Sequence, residues 1–255
     1  MATLEGQTIA GSYKDLLQVS NSNAGVDATA RAVSDGEGTA TLLYVSTTEV
    51  YSPGTGGTSN TAFGKTAGDA LTTNGNYNVV IGEGAGTALT TGVNNVALGY
   101  NALLAATTQA DNNIAIGYNA MRGSIGTEAV LECVAIGSGA LSGALEEEAS
   151  GSVVLGASAL SSLTSGARNM AIGYQALDSM TTGGDNIAIG TDAMGNANHA
   201  DCDYNIAIGN YALDAIGTNA QTGTIAIGHQ ALTALTEGAK NIAIGYQCLD
   251  AQTDG

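Results

Sequence analysis

From residue 60 to the C-terminus, the hydrophobic positions recur in short triplets that read large, small, large, and each triplet is closed by a glycine. The closing glycines are Gly64, Gly82, Gly99, Gly117, Gly137, Gly156, Gly173, Gly190, Gly209, Gly228 and Gly245. They are 17 to 20 residues apart, which makes eleven copies of one unit and is the signature of a solenoid. The unit is typified by Asn186-Ile187-Ala188-Ile189-Gly190, with variants such as Val96-Ala97-Leu98-Gly99. A second short motif follows the glycine, as in Tyr174-Gln175-Ala176-Leu177.

Side chains along a strand point alternately to opposite faces, so Ile187 and Ile189 share one face and Ala188 takes the other. The pattern predicts an all-β fold, a parallel β-roll or β-helix of about eleven coils, each with two strands of about five residues and two turns. A single coil cannot bury its own apolar face, but stacked coils can. At about 4.8 Å per strand the stack is about 50 Å long. The larger side chains are expected to form the inner ladder: Ile114, Ile116, Ile187, Ile189, Ile206, Ile208, Ile225, Ile227, Ile242 and Ile244. Asn78, Asn95, Asn113, Asn186, Asn205 and Asn241 precede the triplet and are expected to cap the turn and stack as an amide ladder. The closing glycines suit a sharp corner, where positive φ or close backbone approach is needed. Linkers such as Thr181-Thr182-Gly183-Gly184 read as surface loops. An α-solenoid is disfavoured, because Gly and Thr interrupt any 3.6-residue stripe.

Composition narrows the function. The chain has 37 Gly, one Pro, no Trp, one Phe and 11% charged residues, a profile of repeated turns. Its formal net charge of −17 removes any electrostatic drive toward nucleic acid or anionic membranes. No stretch approaches the roughly 18 apolar residues of a membrane span, so membrane insertion is not expected. The N-terminus carries Glu5 where a signal peptide needs positive charge, which makes folding in the cytoplasm the default expectation. Cys133, Cys202 and Cys248, odd in number and widely spaced, read as thiols outside any disulfide framework or CxxC metal site.

Candidate chemistry is sparse. Gly82-Glu83-Gly84-Ala85-Gly86 lacks a P-loop lysine, and its glycines belong to the repeat. His199, Asp201, Cys202 and Asp203 crowd one loop with residue types that bind metals, but a solvated acidic loop is the simpler reading. Glu146-Glu147-Glu148 is a charge run of the surface type. His229 sits where neighbouring repeats carry Tyr. No carboxylate pair of the kind a glycoside hydrolase needs stands out. The expectation is a protein without enzymatic activity, cofactor or metal.

The Asn-Ile-Ala-Ile-Gly repeats resemble the Ser-Val-Ala-Ile-Gly head repeats of trimeric autotransporter adhesins, and more closely the longer repeats of bacteriophage tail fibres. The resemblance covers residues 60 to 255. It implies a left-handed β-roll, three chains about one axis, and attachment to a surface whose receptor or glycan is unknown. The chain departs from the adhesins in its longer repeats and in lacking a signal peptide and C-terminal anchor strands. The implied reading is a structural fibre protein of a phage virion, assembled in the host cytoplasm. An exported bacterial adhesin and a tailspike depolymerase are the alternatives. A homotrimer is expected to pack through the alanine row Ala97, Ala115, Ala135, Ala188, Ala207, Ala226 and Ala243.

Residues 1–57 lack the repeat register and resemble N-terminal segments of virion appendages; residues 58–255 form the repeat shaft. The apolar residues Tyr13, Leu16, Leu17, Val19, Leu42, Leu43 and Val45 are expected to dock on other virion structural proteins, and Pro53-Gly54-Thr55-Gly56-Gly57 reads as a hinge. Because the chain ends inside a repeat, either a longer fibre or a covering neighbour is expected beyond it.

Overall fold

The computed structural model describes residues 57, 59–106, 110–123, 130–146, 149–198, 202–216 and 221–251, together with the backbone of four strands nearer the N-terminus. The chain divides into two compact units, Met1–Pro53 and Gly54–Gly255. In the first, β1 (Gln18–Val19), β2 (Arg31–Ser34), β3 (Ala40–Val45) and β4 (Val50–Tyr51) form an antiparallel sheet in sequence order. Val19, Leu42, Leu43 and Val45 lie on these strands, while Tyr13, Leu16 and Leu17 lie outside the described residues.

The second unit is a parallel β-solenoid. Eleven three-residue strands pair in sequence order: β5 (Thr61–Phe63), β6 (Val79–Ile81), β7 (Val96–Leu98), β9 (Ile114–Ile116), β11 (Val134–Ile136), β12 (Val153–Leu155), β13 (Met170–Ile172), β14 (Ile187–Ile189), β15 (Ile206–Ile208), β16 (Ile225–Ile227) and β17 (Ile242–Ile244). Each triplet pairs with the same positions of the next, for example Ala188 with Ala207 and Ile189 with Ile208. The register is held because a one-residue slip would exchange the two faces of the sheet.

The structure corrects the orientation expected of these triplets. In all eleven strands the middle residue is buried and the two flanking residues are half-buried or exposed. Ala115, Ala188, Ala207, Ala226 and Ala243 therefore line the interior. Ile114, Ile116, Ile187, Ile189, Ile206, Ile208, Ile225, Ile227, Ile242 and Ile244 form the outer face. The alternation is as expected; the assignment of the larger side chains to the inside is not. The reason is volume. The bulk of the core comes from the other side of the coil, where Leu103, Met121, Leu141, Leu160, Leu177, Met194, Leu213 and Leu232 are all buried four residues past the corner glycine. A close-packed interior this narrow holds alanine opposite leucine and has no room for a second ladder of large side chains. In the second coil Gly86 replaces that leucine and the strand carries Val80, whose Cγ1 would lie 2.8 Å from a Cβ on Gly86.

The second motif is not the second long strand expected from the repeat length. The two-residue strands β8 (Ala110–Asp111) and β10 (Val130–Leu131) pair with each other ahead of their triplets, and among the described residues no strand forms at the second motif. Instead the chain places every second residue in the left-handed region, as at Asn119 (φ 55°) and Met121 (φ 48°), or Gln175 (φ 55°) and Leu177 (φ 56°). Successive left-handed residues then bond to opposite neighbours: Asn119 N–H donates to Tyr100 C=O of the preceding coil at 2.9 Å, and Met121 N–H to Ala140 C=O of the following coil at 3.0 Å. Backbone groups are thus paired between coils without a conventional strand, which a buried chain requires.

Candidate interaction surface

Two ladders set the shape of every coil. The corner glycines have φ between 131° and 147°, a region that side chains avoid. A Cβ on any of them from Gly64 to Gly228 would meet the backbone of the next coil's corner glycine at 2.6 Å or less. Both reasons expected for glycine apply here: positive φ and close approach.

The asparagine ladder lies at the opposite end of the strand. Asn186 Oδ1 accepts from Asn205 N–H at 2.9 Å and from Asn205 Nδ2 at 3.1 Å, while Asn186 Nδ2 donates to Cys202 C=O at 2.6 Å. Asn78, Asn95 and Asn113 repeat the arrangement, and all of these side chains are buried. A chain of satisfied amides is strong where water is excluded. Asn60 and Asn169 belong to the same ladder; they hold the same register position as the six named from sequence and could have been found by it. Cys133, Ser152 and Thr224 replace asparagine in three coils and receive or pass on the same bonds. Burial pushes the Cys133 thiol up, so it stays protonated, and it donates to Ala149 C=O at 3.4 Å. In the last described coil Asn241 N–H bonds to Thr224 Oγ1, while Asn241 Nδ2 has no partner.

The outer face of the sheet is a continuous apolar strip. Every flanking position except Thr61 carries a large apolar side chain, and Phe63, Leu98, Leu155, Ile242 and Ile244 are exposed outright. Eleven strands at about 4.8 Å and a width of two side chains give an apolar area on the order of 600 Å². That is at the upper end of the largest apolar patches on ordinary monomers.

Beyond the corner glycine runs an aromatic column. Tyr100 and Tyr118 stack with ring centroids 5.5 Å apart, and Tyr211, His229 and Tyr246 form a second cluster. The remaining polar features are structural in character. Arg168 makes a two-pronged ion pair with Asp185, both contacts at 2.7 Å, which holds the Asp185 carboxyl below its ordinary range. Burial, and then repulsion from Asp192, pushes the Asp178 and Asp214 carboxyls up. In the loop weighed for metal binding, His199 and Asp201 lie outside the described residues. Cys202 is buried, and Asp203 Oδ1 accepts from Gly184 N–H at 2.7 Å. Glu147 and Glu148 also lie outside them. Among the described residues no three metal-ligating side chains converge, and no helix is long and apolar enough to cross a membrane.

Comparison with protein families, curated proteins and solved structures finds no match for this chain.

Proposed function

We propose that this protein is a non-enzymatic structural fibre subunit of a virus particle, a phage tail fibre or similar appendage, that works as a homotrimer in attachment to a host surface. The observation that carries the reading is the apolar strip. A rigid rod that presents large apolar side chains along every strand must cover them, and copies of the same rod offer a matching periodic surface. The buried alanine row cannot be the contact; Ile189, Ile208 and their equivalents take that place. A net charge of −17 per chain opposes association, and the apolar face together with bound counter-cations offsets it. The repeat resemblance to phage fibres supports the virion setting. Residues 1–57, which cannot continue the stack, are the attachment segment, and residues 58–255 project.

Antibody raised against residues 60–255 should decorate appendages of purified virions in electron micrographs, and a chain lacking residues 1–57 should fail to incorporate. Unlabelled particles would overturn the virion setting. Normal incorporation of the truncated chain would place attachment elsewhere.

A further inference from the structure

The position immediately after each corner glycine forms one column along the solenoid: Tyr100, Tyr118, Ser138, Ala157, Tyr174 and then Thr191 in successive coils. Stacking on Tyr100 occupies one face of Tyr118 and leaves its other face toward the Ser138 side. Tyr118 and Tyr174 are 57% and 53% exposed, so neither ring is buried by its own coil. Between them lie two coils with nothing larger than serine at this position or the next: Ser138-Gly139 and Ala157-Ser158. A Cβ added at Gly139 would meet nothing closer than Ser158 Oγ at 3.8 Å, so the floor is open. Three strand spacings separate the walls by about 14 Å, or about 11 Å between ring surfaces. The next interval, from Tyr174 to His229, is not equivalent, because Tyr211 packs against His229 within it.

We infer that this recess, walled by Tyr118 and Tyr174 and floored by serine, glycine and alanine, binds a neutral carbohydrate. The class follows from its chemistry. Exposed tyrosine rings offer flat apolar faces of the kind that the C–H face of a hexose covers, with little rotamer entropy to lose. The floor offers hydroxyls and no charge in a chain of net charge −17, so an anionic sugar would be repelled while a neutral one meets no such barrier. Arg122 and Asp178, five residues past the corner glycine in the two wall coils, carry one charge of each sign. The width accommodates one or two hexose rings. This deepens the surface-attachment reading by naming a ligand class and a place for it.

The test uses the full chain and saturation-transfer NMR titrations with neutral hexose, N-acetylhexosamine and 6-deoxyhexose oligosaccharides, with hexagalacturonate as the anionic comparison. Binding of at least one neutral oligosaccharide with a Kd of about 0.1–1 mM is expected. Tyr174→Ala should weaken it about tenfold. Ala157→Tyr should abolish it by filling the recess, in a column where Tyr100 and Tyr118 already show that adjacent tyrosines fit. Tyr77→Ala, at an exposed tyrosine ahead of its strand, should change nothing. The inference is overturned if no neutral oligosaccharide binds at about 10 mM, a ceiling well above the expected Kd. It is equally overturned if hexagalacturonate alone binds, or if Ala157→Tyr, folded by circular dichroism, binds normally. Light scattering on the same samples separates the two readings. A trimer that binds no sugar refutes this inference alone, and a monomer that binds sugar refutes the trimer alone.

Discussion

Replacing Gly190 by alanine separates two effects that the corner glycines combine. Its φ of 138° is strained for any residue with a Cβ, at about 1–3 kcal/mol. In addition, the new Cβ would lie 2.5 Å from Gly209 C and 2.8 Å from Asn210 N. Relief to an ordinary contact requires neighbouring coils to part by about 0.9 Å, which stretches the bond from Gly209 N–H to Ile189 C=O, now 2.7 Å, beyond bonding range. Losing one buried backbone bond adds about 1–3 kcal/mol. Gly245 has φ 137° but no coil stacked beyond it among the described residues, and its added Cβ meets nothing nearer than Cys248 Cβ at 3.8 Å. Gly245→Ala should therefore cost the strain alone, and Gly190→Ala should cost about 1–3 kcal/mol more. Urea unfolding followed by far-UV circular dichroism, at one protein concentration because association adds stability, measures the difference. Equal destabilisation within about 0.5 kcal/mol would refute the close-approach argument and leave φ as the only reason for the glycines.

Two further outcomes follow from the polar groups. Asn186→Ala removes the acceptor for two donors on Asn205 and the donor to Cys202 C=O, so it should destabilise by about 2–5 kcal/mol in the same assay, whereas Asn169→Ser, a residue the ladder already uses at Ser152, should cost less than half of that. Asp178 and Asp214 have folded pKa values above their unfolded ones, so the folded state holds more protons in the window between them. The urea midpoint should therefore rise as pH falls through the folded values toward the ordinary carboxylate range. Asp178→Asn should flatten that rise, while Asp185, held low by Arg168, stays ionised throughout and does not contribute.

The repeat made the fold readable: a glycine at fixed spacing and an asparagine before the triplet each mark one turn of a coil, and both lie where the register puts them. Which face of the triplet is inside was not readable from the triplet, because Ile-Ala-Ile has the same alternation either way. The deciding residues are Leu177, Met194, Leu213 and their equivalents, whose left-handed backbone turns them into the core; that conformation has no sequence signal when the residue is leucine rather than glycine. The short second side of the coil was hidden for the same reason. The aromatic column is visible in sequence once the corner glycines are aligned, but the recess between Tyr118 and Tyr174 depends on coils stacking in strict register, which only the structure supplies.

The most direct test is the mass of the chain in solution, measured by light scattering on the wild type, on Ile189→Asp with Ile208→Asp, and on Ala188→Asp. Wild type should run at about three times the 25.1 kDa chain mass. The double isoleucine variant should fall to the mass of one chain while keeping its far-UV spectrum, because both changes lie on the outer face. Ala188→Asp should lose the fold itself, since it buries an unpaired carboxylate in the interior. A wild-type monomer would contradict the proposed assembly, and an Ala188→Asp chain that folds while the isoleucine variant does not would contradict the inside-out placement of the ladder.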